Sequence, residues 1–214
     1  MIKNNCPFCK DNFFPYHTQI GLDINDAILY SDDHVFVTPD ISPVAVGHYL
    51  IITKKHYCNF AISPKAVQKS LFKAMRYVYE KIFLLDCFIA FEHGSTNISY
   101  AGNSIDHAHL HIIKGNLSLK EAVEADRKYR EKLDAISLQQ YSANHAEDSY
   151  IWIMSADRVS TFYKANSLES QYLRKKVLEL APLNYTYNWR QEYSAKQSID
   201  LYLHNLAMGR SAKL

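Results

Sequence analysis

The sequence from residue 107 to 113 reads His-Ala-His-Leu-His-Ile-Ile, with three histidines at alternate positions separated by apolar residues. In a β-strand every second side chain points to the same face of the sheet. The pattern therefore predicts one face with His107, His109 and His111, and an opposite face turned into a core with Ala108, Leu110 and Ile112. Imidazole titrates near neutral pH and can bind metal, attack as a nucleophile or carry a proton. A row of this kind can surround one small anionic group.

The size and composition of the chain narrow the class of protein. Its 214 residues suffice for one large domain or for a domain with an extension, and 48% hydrophobic residues supply an ordinary core. No apolar run reaches the roughly 18–20 residues that cross a bilayer. Residues 1–6 lack the apolar stretch of a secretory signal. We therefore expect a cytoplasmic protein with no membrane partner. A net charge of +2 and only short basic clusters do not favour nucleic acid as a partner.

A pair of cysteines stands at the start of the chain, in the run Cys6-Pro7-Phe8-Cys9. In a reducing compartment such a pair more often binds metal or is redox-active than forms a structural disulfide. No strand of the thioredoxin kind precedes it, so the redox interpretation is the weaker one and zinc is favoured. Two cysteines make half of a tetrahedral site, and we expect histidines to supply the other ligands. The alternative is that both cysteines pack as small apolar groups.

Strand-like and helix-like stretches follow one another along the chain. Strands are predicted at 34–38, 47–53, 88–92, 107–113, 150–154 and 159–164, the last two as a hairpin. Helices are predicted at 64–83, 117–133, 168–180 and 194–208. Ser63 is expected to cap the first helix, with Pro64 at its first helical position.

Four motifs occur in a fixed order before residue 115. They are Cys6-Pro7-Phe8-Cys9, Asp40-Ile41-Ser42-Pro43, Gly47-His48-Tyr49-Leu50-Ile51-Ile52 with Lys55-His56, and Gly102-Asn103-Ser104-Ile105-Asp106 leading into the histidine row. Together they resemble the histidine triad (HIT) superfamily of nucleotide-binding hydrolases and transferases, over roughly residues 1–115. The resemblance implies an α+β fold, in which helices pack on an antiparallel sheet whose central strand carries the histidines.

The resemblance also implies a chemistry for the row. By position His109 is the nucleophile that attacks the α-phosphorus of a nucleotide and forms a covalent nucleotidyl-histidine. His111 would stabilise charge on the phosphate oxygens, and Ser104 would add a neutral donor. The uridylyltransferase branch typically has Gln at the position of His111, so the histidine favours hydrolysis.

The nucleotide-binding residues implied by the resemblance come from two segments. Asp40 would accept hydrogen bonds from the ribose hydroxyls, Ile41 would pack against the base, and His48 would line the pocket. Gly102 would contribute backbone N–H groups, and Asn103 stands where a Gln is common. An alternative for Asp40 is a turn residue that bonds its own backbone.

A structural zinc ion is implied in the same way. In zinc-bearing members the metal joins the two cysteines to one histidine after the second strand and to the first histidine of the row. The matching ligands here are Cys6, Cys9, His56 and His107. Four protein ligands leave no open position, so the metal would be structural rather than catalytic.

Two domains are expected, a nucleotide-binding catalytic domain over residues 1–115 and a packed extension of mixed helices and strands over residues 116–214. In the extension Arg174 or Arg190 could reach substrate phosphates, although arginines on helices more often lie in solvent. The leading hypothesis is hydrolysis of a dinucleoside polyphosphate, a nucleoside phosphoramidate or a related conjugate. The alternatives are a nucleotidyltransferase or phosphorylase, and a non-catalytic nucleotide-binding protein. A homodimer is a further expectation.

Overall fold

A computed structural model describes residues 6–9, 17–18, 21–96, 105–126, 131–165, 168–181 and 196–212. Within these residues the strands are β1 (Tyr30–Ser31), β2 (Val35–Pro39), β3 (His48–Thr53), β4 (Phe88–Gly94), β5 (His109–Lys114), β6 (Tyr150–Met154) and β7 (Ser160–Lys164). They form one sheet in the order β1-β2-β3-β5-β4-β6-β7, and every pairing is antiparallel. The predicted α+β class and the central position of the histidine strand are confirmed.

Helices cover both faces of this sheet. The described helices are α1 (Ile24–Ala27), α2 (Lys65–Tyr77, continued as a π-helix over Val78–Ile82), α3 (Leu119–Ala125), α4 (Leu138–Asn144), α5 (Tyr172–Leu180) and α6 (Lys196–Ser211). Buried side chains of α2, α4 and α6 share one core with the face of β5 opposite the histidines. Buried side chains of α3 and α5 pack against the other face, beside Phe91 and Ile113. None of the described helices is long and apolar enough to cross a membrane.

The predicted alternation along β5 is confirmed by the core that each apolar side chain joins. Leu110 and Ile112, with Ala108 just before the strand, belong to the core beneath α2, whereas Ile113 belongs to the core on the face of the histidines. On one side β5 pairs with β3, where Leu50 faces His111 across the ladder, and on the other side with β4, where Phe91 faces His111. Because β5 is paired along both edges, its register fixes where each histidine lies.

The extension continues the same sheet. Strand β6 pairs with the outer edge of β4 from Ala90 to Gly94, and β7 forms a hairpin with β6. Trp152 of β6 and Phe162 of β7 are buried in the core shared with α2. The division of the chain at residue 115 stays a prediction.

Three local predictions were wrong or incomplete. Ser63 is not the cap of α2, because its hydroxyl donates to the carbonyl of Phe60 and Pro64 occupies the cap position. The helix predicted over 117–133 ends at Ala125, and Leu133 instead donates its N–H to Phe162 beside β7. Helix α4 was not predicted, although Ser137 accepts from the N–H of Gln140 as an ordinary N-terminal cap.

Candidate active site

The central histidine of the row is held by the backbone of its own strand. The Nδ1–H group of His109 donates to the carbonyl oxygen of His107 at 2.6 Å. A neutral imidazole carries one proton, so Nε2 of His109 is left with its lone pair. The ring is partly exposed and lines a pocket, as a nucleophile requires.

Burial keeps this ring neutral. The pKa of His109 lies below its usual value of 6.5 because burial disfavours the imidazolium, and the contact with the His107 carbonyl opposes this only in part. Arg174 also lowers the pKa of His109, whereas Asp40 raises it. At neutral pH the Nε2 lone pair is therefore available for attack on an electrophile.

A chain of hydrogen bonds fixes the tautomer of the third histidine. The backbone N–H of Val44 donates to Nδ1 of His48 at 3.1 Å, so a neutral His48 carries its proton on Nε2. That Nε2–H lies 2.9 Å from Nδ1 of His111 and donates to it. The remaining proton of His111 is then on Nε2, and His111 presents an N–H donor to the pocket that it lines.

His48 and His111 are both neutral at pH 7. Burial lowers the pKa of His48 to about 4, against an upward effect of Asp40 and a further downward effect of Arg174. Burial also holds the pKa of His111 well below 6.5, and His109, His48 and Arg174 lower it further. The His111 ring stacks on Phe91 with centroids 4.7 Å apart, which fixes its plane.

Asp40 lies behind these histidines and is bound by the extension. Its Oδ1 accepts from the N–H of Ser42 at 2.8 Å, and its Oδ2 accepts from Nη1 of Arg174 at 2.7 Å. Nη2 of Arg174 donates to the carbonyl of Ser42 at 2.5 Å. Asp40 is 3% exposed and Arg174 is 6% exposed, so the ion pair is buried. Oδ2 of Asp40 lies 3.6 Å from Nε2 of His48 and 3.6 Å from Nδ1 of His111.

The pocket in front of the row takes walls from both halves of the chain. Its described lining residues are Phe91, His93, Ile105, His109, His111, Gln171, Tyr172, Leu173 and Arg174. The last three begin helix α5, and Gln171 is the cap residue before them, with a left-handed backbone (φ 61°) that is uncommon outside glycine. The extension therefore forms one wall of the pocket.

The other predicted nucleotide-binding and catalytic residues are placed as follows. His48 lies behind His111, and neither it nor Asp40 is among the described residues that line the pocket. Ile41 is partly buried against the core on the opposite side of the sheet. Gly102, Asn103 and Ser104 lie outside the described residues. The structure thus brings His109 and His111 together at the pocket, with Asp40 and His48 in support.

The predicted zinc ligands also meet in space, at the other end of the row. Sγ of Cys6 lies 3.4 Å from Nδ1 of His107, and Sγ of Cys9 lies 3.4 Å from Nδ1 of His56 and 3.8 Å from Nδ1 of His107. All four ligand atoms lie within 4.8 Å of one another. We call Cys6, Cys9, His56 and His107 the thiol–imidazole cluster.

This cluster fits a tetrahedral zinc ion. Zn–S bonds of about 2.3 Å and Zn–N bonds of about 2.0–2.1 Å at the tetrahedral angle separate sulfur from nitrogen by roughly 3.5 Å. Nε2–H of His107 donates to the carbonyl of Thr53 at 2.7 Å, so the lone pair of His107 is on Nδ1, which faces the thiols. Burial raises the pKa of the Cys6 thiol to about 11 without a metal, and a cation would favour the thiolate.

A second group of metal-type side chains, Asp40, His48 and His111, has different properties. Nε2 of His48 is protonated because its Nδ1 accepts from Val44, and it donates to His111. The Asp40 carboxylate is already paired with the permanent cation of Arg174. Hydrogen bonds and an ion pair thus satisfy this group without a metal.

A further residue, for which the sequence gives no signal, holds the turn before β3. Asn205 of α6 accepts from the N–H of Gly47 at 2.8 Å and donates to the carbonyl of Ala45 at 3.4 Å. Gly47 has φ 74°, and a Cβ there would lie 2.7 Å from Cβ of Lys114, so glycine is required beside β5. Asn205 is 158 residues from Gly47, and no local pattern marks it.

Comparison with known proteins agrees with this geometry. The sequence model of the HIT domain matches residues 22–117. An uncharacterised HIT-like protein of Methanocaldococcus jannaschii is 32% identical over 108 residues, which are 50% of this chain and 77% of that protein. The Protein hit of Bacillus subtilis is 36% identical over 111 residues, 51% of this chain and 70% of its own. The adenylylsulfatase HINT3 of Arabidopsis thaliana is 29% identical over 134 residues, which are 62% of this chain and 64% of that protein.

Proposed function

Because the chain belongs to the HIT family, we propose that it hydrolyses nucleotide conjugates at the α-phosphate through a covalent nucleotidyl-His109. The observation that carries this proposal is the tautomer of His109, whose Nδ1–H is bound to the His107 carbonyl. His109 lines the pocket, and its unprotonated Nε2 is the atom that we assign as the nucleophile. Dinucleoside polyphosphates, nucleoside phosphoramidates and related conjugates all offer the required α-phosphorus.

The first step forms a bond between Nε2 of His109 and the α-phosphorus and breaks the bond to the leaving group, which departs with the bonding electron pair. An amine leaving group also takes up a proton from solvent. Attack makes the imidazole cationic, and the His107 carbonyl at 2.6 Å from Nδ1 stabilises that charge. The Nε2–H of His111 donates to the phosphoryl oxygen where negative charge develops. Both roles follow from the directions of the hydrogen bonds around the two rings.

The second step returns the enzyme to its starting state. Water attacks the phosphorus and releases a proton to solvent, the bond to Nε2 breaks with its electron pair returning to nitrogen, and the nucleoside monophosphate leaves with the oxygen from water. His109 regains its neutral form, which burial favours. The plant relative is an adenylylsulfatase by name, and this supports an adenylyl compound as the substrate.

Zinc in the thiol–imidazole cluster would have a structural role in this proposal. The ion would fix Nδ1 of His107, while Nε2 of the same ring is fixed by Thr53. Because the carbonyl of His107 holds His109, a fixed His107 also holds the nucleophile in place. All four candidate ligands come from the protein, so no position remains for substrate.

The test is to incubate the protein with adenosine 5′-phosphoramidate and with diadenosine tetraphosphate, and to follow release of AMP. We expect wild type to release AMP and to carry an adenylyl adduct on His109 in acid-free mass spectrometry. His109→Ala should lower the rate by at least about 10³-fold, since the nucleophile is lost. The matched control is His204→Ala, because His204 is an exposed histidine on α6.

Equal rates in wild type and His109→Ala would refute the proposal. Added inorganic phosphate separates hydrolysis from the phosphorylase alternative, because a phosphorylase would release ADP in place of AMP. Nucleotide binding by calorimetry without turnover of either compound would favour a non-catalytic binding protein.

A further inference from the structure

Asp40 lies close enough to His48 and His111 to compete for their ring protons. Its Oδ2 is 3.6 Å from Nε2 of His48 and 3.6 Å from Nδ1 of His111, and these two nitrogens are 2.9 Å apart. None of the three residues is more than 8% exposed. An ionised carboxylate only accepts hydrogen bonds, and a movement of about 0.5 Å would bring Oδ2 within bonding distance of either ring. The bond between the two rings therefore depends on what holds the carboxylate.

Arg174 supplies the positive charge that holds this carboxylate. Its Nη1 donates to Oδ2 of Asp40 at 2.7 Å, and its Nη2 donates to the carbonyl of Ser42 at 2.5 Å. The other carboxylate oxygen accepts from the N–H of Ser42 at 2.8 Å. Both members of the ion pair are buried, so salt in the solvent screens it only weakly. The charge of Asp40 is compensated by a permanent cation, and the rings need not supply a proton.

Without that cation the carboxylate would draw a proton from the side of the rings. An unpaired buried carboxylate favours a proton on a nearby imidazole, because opposite charges attract strongly at this distance in a buried site. Nδ1 of His111 is the unprotonated ring nitrogen beside Oδ2. Once protonated, Nδ1 would donate to Asp40 and could no longer accept from His48. The bond that fixes the position of the His111 proton at the pocket would then be lost.

The charged and titratable groups around the two rings come from three elements. Among the described residues they are Asp40 after β2, Arg174 on α5 and His109 on β5, besides the effect of His48 on His111. Arg174 and His109 lower the pKa of both rings, whereas Asp40 raises the pKa of His48. Arg174 is the permanent cation of this set, and it is bonded to the carboxylate that opposes it.

We propose that Arg174 is a positioning residue, whose bond to Asp40 keeps Nδ1 of His111 unprotonated and bonded to His48. The inference rests on the proposed function for its catalytic meaning and deepens it, because a fixed His111 leaves its Nε2–H as the donor to the phosphoryl oxygen. Arg174 lies beyond residues 22–117, which match the HIT domain. The extension thus sets the proton arrangement of the site.

The experiment measures the protonation of His111 directly. Protein labelled with ¹⁵N-histidine is studied at pH 7 by NMR that correlates ring protons with ring nitrogens, because protonated and unprotonated nitrogens differ widely in chemical shift. We expect Nδ1 of His111 to be unprotonated in the wild type and at least about half protonated in Arg174→Met. Adding Asp40→Asn to Arg174→Met removes the carboxylate and should return Nδ1 to the unprotonated state.

Two further variants test whether the charge of Arg174 is responsible. Arg174→Gln keeps a hydrogen-bond donor at this position but no charge, so we expect Nδ1 of His111 to become protonated as in Arg174→Met. It also replaces Arg174→Met if that variant does not fold. Lys175→Met is the matched control, because Lys175 is an exposed cation on the same helix, and Nδ1 should stay unprotonated in it.

Each outcome bears on one claim. A protonated Nδ1 of His111 in the wild type overturns the inference, whether or not the variants fold. An unprotonated Nδ1 in folded Arg174→Met or Arg174→Gln overturns it as well, and so does a protonated Nδ1 in the double variant. Release of AMP from adenosine 5′-phosphoramidate is measured on the same wild-type sample. The expected NMR result without turnover would refute the proposed function and still support the role of Arg174 in placing the proton.

Discussion

The two neighbours of His109 in the row are held by opposite ends of the chain. His107 is held by the thiol–imidazole cluster, whose cysteines lie at residues 6 and 9. His111 is held through His48, with Asp40 beside both rings and Arg174 of the extension on Asp40. On the first side a ring lone pair faces two thiols. On the second side the ring N–H of His48 donates to His111, whose own N–H is left for the pocket.

The histidine row is therefore supported in two different ways at its two ends. The thiol–imidazole cluster suits a metal because Nδ1 of His107 is unprotonated. The Asp40 side suits a hydrogen-bonded chain because Val44 fixes the proton of His48 on Nε2. The first support is a closed set of ligands, and the second depends on residues that lie more than 130 positions apart.

The cluster side is expected to give the largest effect on stability. Replacing Cys6 and Cys9 by Ser should abolish zinc binding and lower the free energy of unfolding by on the order of 5 kcal/mol or more. Urea denaturation and metal analysis of the purified protein measure both quantities. Cys87→Ser is the control, because Cys87 is an exposed cysteine outside the cluster. Full zinc content in the double variant would contradict the assignment.

On the opposite side, Arg174→Met should lower the free energy of unfolding by about 3–5 kcal/mol, since Asp40 becomes an unpaired buried charge. Asp40→Asn in the same chain should recover part of this loss, because the stranded charge is gone. Lys175→Met, at an exposed cation on the same helix, is the control and should change stability by no more than about 0.5 kcal/mol. If the single and double variants are equally stable, the ion pair is not what holds Asp40.

The next effect concerns the link between α6 and the turn before β3. Asn205→Ala leaves the buried N–H of Gly47 without its acceptor, and we expect a loss of about 1–3 kcal/mol. Asn144→Ala, at an exposed asparagine of α4, is the comparison in thermal denaturation. An unchanged melting temperature for Asn205→Ala would show that the turn is held without α6.

The smallest expected effect is a pH dependence from His48. The pKa of His48 is about 4 in the folded protein and 6.5 is its ordinary value, so the unfolded chain binds the proton more tightly. Stability should therefore be full above pH 6.5 and decline as pH falls towards 4, by about 1–2 kcal/mol between pH 7 and 5. Denaturant titrations at several pH values measure it. His48→Gln should flatten this decline, and an identical pH profile would rule His48 out as its source.

More of the cluster side than of the other side could be predicted from short patterns. Alternation in residues 107–113 and the Cys-x-x-Cys pair have direct physical meaning, so the strand and the two cysteines could be located from them, whereas His56 and His107 were assigned as ligands through the family resemblance. Arg174 could be named only as one of two arginines able to reach phosphates, and its partner is Asp40. Asn205 carried no signal, because its bonds to Gly47 and Ala45 depend on tertiary packing.

The same reasoning applies to the elements of the fold. Strands β6 and β7 were predicted from apolar runs, but the pairing of β6 with β4 follows from the free edge of β4 and not from either sequence. The helix predicted over 117–133 was too long, because charged helix formers continue in the sequence past Ala125. In the structure Lys132 instead forms an antiparallel bridge with Tyr163 of β7. Local propensity located these elements, and long-range pairing decided their ends.

The acceptor for Nδ1 of His109 belongs to the main chain of a residue two positions away. Every amino acid at position 107 brings a carbonyl oxygen, so no point substitution there deletes it. The backbone at position 107 therefore fixes the reactive tautomer of His109, whatever side chain stands there. Substitutions in the thiol–imidazole cluster, the extension or the pocket lining would leave this acceptor in place.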